Sequence, residues 1–181
     1  MKNSDYKLIS RKQVYKGKKV NVFDETIQPP NGNIVEWDMV DYPDIYMAIP
    51  VTEDNTVLMV QQWRQGPKAI MTDFVGARLD DPEEKGLEAL KREVGEELGI
   101  IGGKYELLVK YSNGVRISGT RYIYLLTDFE KSKQNLDENE LVEIIELSVE
   151  GLYKELRDYH IVTGDTLLMA KLIEEKYQIL V

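Results

Sequence analysis

Apolar positions along this chain follow two periods. Leu87, Leu90, Val94 and Leu98 are separated by three, four and four residues. At about 100° per residue they make one stripe on an α-helix, so the spacing predicts a helix within Glu83–Ile100. Gly99 followed by Ile100 reads as a glycine stop with an apolar residue folding back. Elsewhere the period is two. Val20 and Val22, and then Val35, Trp37 and Met39 alternating with Glu36 and Asp38, predict strands either side of the turn Pro29-Pro30-Asn31-Gly32. Ile45–Val51 and Val57–Trp63 read as strands joined at Glu53-Asp54-Asn55. A loop at Gln65–Lys68, an extended piece at Thr72–Ala77 and a turn at Arg78–Pro82 lead into the helix. After it come strands at Tyr105–Tyr111, Arg121–Thr127 and Val142–Leu147, with a polar loop at Ser112–Thr120 and an acidic connection at Asp128–Glu140. A short helix at Val149–Asp158 and an amphipathic one at Asp165–Gln178, with Asp165 as N-cap, close the chain. This order predicts an α/β (α+β) fold, a mixed sheet with helices on its faces. The front strands are too few to stand alone and are expected to pack on the rest or on a second copy.

The polar positions of the central helix do not follow folding rules. Glu93, Glu96 and Glu97 share one face beside the apolar stripe. Like charges at such spacings cost roughly 0.2–0.5 kcal/mol per pair. Glu96 and Glu97 also sit where the helix dipole is negative, which disfavours each anion by roughly 0.3–1 kcal/mol. Gly95 adds about 1 kcal/mol relative to alanine. The pairs Glu88–Arg92 and Arg92–Glu96 offset part of this. A solvated acidic surface is the competing reading. It needs no interior glycine and no acids crowded at the wrong end, so a chemical role is the better account.

Composition narrows that role. The 181 residues, 43% hydrophobic and 30% charged, suit one globular domain or a domain with a small appendage. The net charge of −9 argues against wrapping nucleic acid. It is compatible with a small anionic substrate if a divalent cation lies between the two sets of negative charge. There is no cysteine, hence no disulfide, thiolate ligand or thiol nucleophile. His160 is the lone histidine, so no His-based metal motif exists, and it reads as a loop residue. Three clustered carboxylates are hard oxygen donors suited to Mg²⁺ or Mn²⁺. MKNSDYKLISRKQVYKG has no signal-like apolar core, and no run approaches the roughly 18–20 apolar residues of a membrane span. A soluble, cytoplasmic protein without membrane or nucleic-acid partners is expected.

Arg92-Glu93-Val94-Gly95-Glu96-Glu97-Leu98-Gly99-Ile100 resembles the core of the Nudix box, with Glu84 at the required distance before it. Val60-Gln61-Gln62-Trp63-Arg64, Asp73-Phe74 and Asp137-Glu138-Asn139-Glu140 resemble segments of the ADP-ribose pyrophosphatase subfamily. The resemblance implies a Nudix fold, a mixed β-sheet sandwiched between helices. It also implies an N-terminal antiparallel β-strand dimerisation unit (1–43) ahead of a hydrolase domain (44–181). The implied activity is Mg²⁺-dependent hydrolysis, with Mn²⁺ an alternative, of a nucleoside diphosphate sugar, ADP-ribose first. The metal ligands implied are Glu93, Glu96 and Glu97, with a backbone carbonyl from Gly76 or Ala77. Glu140, and after it Glu138, is the implied proton acceptor. Arg92 would orient the glutamates, Glu96 counts with the catalytic set as well, and Glu84 or Glu83 would hold the turn. Arg64, then Arg116 and Arg78, are the candidate phosphate contacts. Trp37 would stack on a base or serve as an interface residue, and the protein would be a homodimer through its N-terminal strands. The sequence departs from the pattern at Arg78, where the box's first glycine belongs, at Val75 in place of proline, and at Asn113 within Ser112-Asn113-Gly114. These departures leave GDP-mannose or another nucleotide sugar as an alternative substrate. A sensor that binds without cleaving is a further alternative, against which the intact glutamate set speaks. A nucleoside triphosphate sanitising role is disfavoured by the N-terminal strands.

Overall fold

The computed structural model describes residues 2, 5–79, 85–161 and 163–177. Two compact units emerge, one of Met1–Asp44 with Tyr111–Arg121, the other of Ile45–Lys110 with Tyr122–Val181. Each is built on its own sheets.

In the first unit β1 (Lys7–Lys16), β2 (Asn21–Gln28) and β3 (Val35–Asp41) form an antiparallel sheet in that order. The alternation of Val35, Trp37 and Met39 places Trp37 opposite Glu25. β1 has no counterpart in the periodicity, because all ten of its residues are exposed and no buried face imposes alternation. The segment 111–121 joins this unit through Val40 N–H donating to the Arg116 carbonyl (2.8 Å) and Ser118 N–H to the Val40 carbonyl (2.9 Å).

The second unit contains β4 (Ile45–Pro50), β5 (Val57–Arg64), β6 (Ala69–Asp73), β7 (Gly76–Arg78), α1 (Gly86–Leu98), all but the last two residues of β8 (Ile100–Ser112), all but the first two of β9 (Thr120–Lys131), β10 (Val142–Leu147), α2 (Val149–Arg157) and α3 (Gly164–Tyr177). One sheet runs β10-β5-β6, the other β7-β4-β9-β8. This is the α/β architecture that the element order predicts. The core under the central helix joins Leu90, Val94 and Leu98 to Leu58, Val60 and Leu126, all buried. Each such side chain stabilises the fold by roughly 1.5–3 kcal/mol on burial. The predicted stripe is therefore the face that anchors α1.

Two glycines set the ends of α1. Gly99 takes the left-handed conformation (φ 61°, ψ 36°) that stops the helix and turns the chain into β8. Gly86 lies against the Tyr46 ring, and a Cβ there would fall 1.9 Å from it. Tyr46 in turn stacks on Tyr122, the rings 4.6 Å apart and 2° from parallel.

Three local expectations are corrected. α3 begins at Gly164, so Asp165 lies in its first turn and is not the N-cap; an acid there still suits the positive end of the dipole. The extended piece at 72–77 is two strands, because β6 pairs with β5 and β7 with β4. Arg78 closes β7 and does not begin a turn. Glu83 and Glu84 lie outside the described residues. Among the described residues no helix is long and apolar enough to cross a membrane.

Candidate active site

The site grows from the polar edge of α1. With Ala89, Leu90, Val94 and Leu98 fixed in the core, helical spacing leaves Glu93, Glu96 and Glu97 half-buried along its margin. Arg92 lies between two of them, its Nη1 2.8 Å from Glu93 Oε1 and 2.8 Å from Glu96 Oε2. Glu97 is the carboxylate of α1 that burial strains most. Burial pushes its pKa up to about 7, the negative charges of Glu93 and Glu140 push the same way, and Arg64 opposes them. Burial also raises the pKa of Glu93, against the pull of Arg92.

Glu140 acts on this group through its charge, from a different element. It ends a turn ahead of β10, where its N–H donates to the Asp137 carbonyl (2.9 Å) and its Oε2 accepts from Asp137 N–H (3.2 Å). Its charge is felt by both Glu93 and Glu97. Glu138 and Glu140 are both exposed, and of the two Glu140 is the one whose charge is prominent at Glu93 and Glu97. A cavity of about 460 Å³ opens beside Glu140, with Gln61, Gln62, Ile70 and Leu136 in its walls. That size falls within the range of small-molecule sites.

Arg64, at the end of β5, donates through Nη2 to Asp73 Oδ2 at 3.0 Å. Asp73 is buried, and its Oδ1 accepts from Phe74 N–H at 3.0 Å. Burial raises the Asp73 pKa and the Arg64 guanidinium draws it back. Arg64 Nε is buried with no hydrogen-bond partner among the described residues. The guanidinium thus combines an ion pair to a buried carboxylate with a charge that acts on Glu97. Sequence reasoning noted Asp73 only as part of a resemblance. Its role as the partner of Arg64 depends on the β5–β6 register, which sets Val60 against Asp73 and Arg64 against Ala69.

The remaining candidates are placed as follows. Ala77 is buried and pairs with Tyr46 across β7 and β4. Arg78 pairs with Ile45 and does not have a positive φ, so this extended backbone has no need of the glycine that the box pattern would put there. Trp37 and Arg116 belong to the first unit. The Arg116 guanidinium lies 5.9 Å from the centroid of the Trp37 ring, and its Nη1 lies 4.0 Å from Asp38 Oδ2. His160 is an exposed loop residue, its Nδ1 3.3 Å from Glu155 Oε2.

The acids at the end of α1 are tolerated because the segment 132–135 caps it. Ser132 N–H donates to the Gly99 carbonyl (2.5 Å) and Asn135 N–H to the Glu96 carbonyl (2.9 Å). Gln134 Nε2 donates to the Glu97 carbonyl (2.6 Å) and to the Val142 carbonyl (3.3 Å). These donors satisfy carbonyls that a helix end leaves unpaired and soften the negative pole. Sequence reading saw only a polar acidic connection here. By contrast, Gly95 has no packing reason, since a Cβ would meet only the Ile100 carbonyl at 3.5 Å.

This donor set fits a divalent cation. Glu93, Glu96 and Glu97 are hard carboxylate donors along one helix margin, and burial penalises the charge of Glu93 and Glu97. Among the described residues no three such side chains are already drawn into one cage; Arg92 engages two of them.

The NUDIX domain family model matches residues 41–164. The chain is 27% identical over 157 residues to the ADP-ribose pyrophosphatase of Bacillus subtilis (strain 168), covering 85% of this chain and 84% of that protein. It is 23% identical over 171 residues to the methanol dehydrogenase activator of Bacillus methanolicus, covering 93% and 92%. A solved structure described as the crystal structure of an ADP compounds hydrolase superposes with a TM-score of 0.82 at 18% identity, covering 96% of this chain and 95% of that one.

Proposed function

Because this chain belongs to the Nudix family and is a Nudix hydrolase, we propose that it hydrolyses the pyrophosphate of a nucleoside diphosphate sugar, with ADP-ribose the first candidate and Mg²⁺ as the metal. The observation that carries this reading is the half-buried place of Glu97, where the charge of Glu93 from its own helix and that of Glu140 from a separate loop both act on it. The likeness to the Bacillus subtilis ADP-ribose pyrophosphatase supports the substrate class.

Glu93, Glu96 and Glu97 would hold the metal, with a backbone carbonyl from Gly76 or Ala77. When bound, the metal supplies charge neutralisation for the diphosphate and makes an attacking water more acidic. Glu140 accepts that water's proton, its free oxygen being the one not engaged by Asp137. Water adds across the P–O–P bridge, one bridging bond breaks, and the products are a nucleoside monophosphate and a sugar phosphate. Arg64 grips a phosphate through the face not committed to Asp73, a task that its planar fork suits. Arg92 holds Glu93 and Glu96 in place, and Arg78 is a weaker phosphate contact. Arg116 is likewise proposed as a weaker phosphate contact, and Trp37 as the residue that stacks on the base.

The protein is further proposed to act as a cytoplasmic homodimer through the first unit. β1 is the outer strand of its sheet and exposes Leu8, Ile9, Val14 and Tyr15. Its end of the chain carries Lys2, Lys7, Arg11, Lys12, Lys16, Lys18 and Lys19 against Asp5 alone, in a protein of net charge −9. The rest of the chain carries the excess of acids, and a second copy is proposed to set part of it against this basic strand.

The test is incubation with a panel of nucleotide sugars, GDP-mannose included, and Mg²⁺, reading nucleoside monophosphate release. Turnover that is lost in Glu97→Gln supports the reading. Tight binding of a nucleotide sugar with no turnover of any member of the panel would replace hydrolysis with sensing.

A further inference from the structure

The geometry points to Gln134 as a positioning residue that locks the loop carrying Glu140 to the helix carrying Glu97. Both hydrogens of one side-chain amide are committed. One reaches the Glu97 carbonyl at 2.6 Å, the other the Val142 carbonyl at 3.3 Å. The first bond ends on the backbone of a proposed metal ligand, in the last turn of α1. The second ends two residues beyond the proposed proton acceptor, at the first residue of β10. Gln134 therefore closes the base of the loop 134–142 and pins that base to α1.

Helix capping alone does not account for this arrangement. Ser132 and Asn135 already give backbone donors to the Gly99 and Glu96 carbonyls. A cap has no use for the bond to Val142, which does nothing for the helix and ties down the far side of the loop. Within the loop, the Asp137–Glu140 turn holds itself by the Glu140 N–H and carboxylate bonds. Its internal shape is set locally; Asn135 helps to hold its start against α1, and Gln134 adds the tie from α1 to the loop's far end at β10. The chemistry of the side chain matters. Two donors on one neutral atom can serve two carbonyls; a carboxylate has no donor and would repel both.

The inference rests on Glu140 acting in the proposed hydrolysis, and its test separates the two. The chain has no cysteine, so spin labels placed through Asn139→Cys and Glu88→Cys report the loop-to-helix distance alone. Both positions are exposed. Gln134→Met, near in size and without donors, is expected to broaden the distance distribution. In the unlabelled protein the same substitution is expected to lower kcat by on the order of tenfold to hundredfold while KM stays within about threefold, since the step lost is transition-state placement and not binding. Gln134→Lys, whose ammonium can reach both carbonyls, is expected to keep the narrow distribution and most of kcat. The inference is overturned if Gln134→Met leaves the distribution narrow, if it changes KM and not kcat, or if Gln134→Lys loses as much as Gln134→Met. If no nucleotide sugar is hydrolysed by the parent protein, the distance distribution alone decides: broadening in the methionine variant upholds the clasp, and no broadening overturns it.

Discussion

Replacing Glu97 by glutamine should stabilise the metal-free protein at neutral pH while abolishing its activity. Glu97 has an ordinary pKa of 4.5 that rises to about 7 in the fold, chiefly from burial and then from Glu93 and Glu140. Between those values the folded state holds a proton that the unfolded chain has released. Unfolding then releases protons, so stability falls as pH rises through the window and levels off above it. One pKa unit corresponds to about 1.4 kcal/mol, so the full shift sets a ceiling of about 3 kcal/mol. Solvent screening of a half-buried group lowers the expected effect to about 1–2 kcal/mol. The measurement is urea unfolding in chelator at several pH values. Parent and Glu97→Gln should match near pH 4, and the parent should fall behind by the stated amount near pH 8. Saturating Mg²⁺ should reverse the order, adding about 2.7 kcal/mol to the parent at a hundredfold excess over Kd and little to the variant. A parent whose stability stays flat or climbs relative to the variant between pH 5 and 7 would refute the claim that this carboxylate is strained in the fold.

Other expectations can be checked by mutation. Gly86→Ala drives a Cβ into the Tyr46 ring and should cost about 1–3 kcal/mol by thermal unfolding, with part recovered when Tyr46→Leu is added. Arg64→Ala removes the ion-pair partner of buried Asp73 and should cost about 1–3 kcal/mol; adding Asp73→Asn should restore stability but not kcat/KM, and restored activity would make Arg64 purely structural. Glu140→Gln should lower kcat by roughly 10²–10⁴ while Glu138→Gln changes it little, and the reverse ranking would exchange their roles. Raising salt should weaken the dimer in sedimentation, because the basic strand β1 is screened; a monomer at low salt would remove the proposed interface.

What sequence could and could not disclose divides along the range of the interactions involved. The stripe of Leu87, Leu90, Val94 and Leu98, the stop at Gly99 and the acids beside the stripe are local, since helix geometry ties each to its neighbours through a fixed rotation. That geometry made the helix and its carboxylate edge legible, and the conflict with helix rules pointed to chemistry. β1 was not legible, because a strand exposed on both faces carries no alternation to read. The departure at Arg78 looked disruptive in sequence, and only the pairing of β7 with β4 showed an extended backbone indifferent to glycine.

The chain by itself determined the type of donor available, three carboxylates on one helical face and a reserve of acids in a later loop. Tertiary structure alone decided which of them meet. The charge of Glu140 acts on Glu93 and Glu97, Asp73 takes Arg64, and Gln134 spans from α1 to β10. These are contacts between residues distant in sequence, set by strand register and by the path of a loop. No periodicity records them, because each depends on where a packed core leaves the next element free to go.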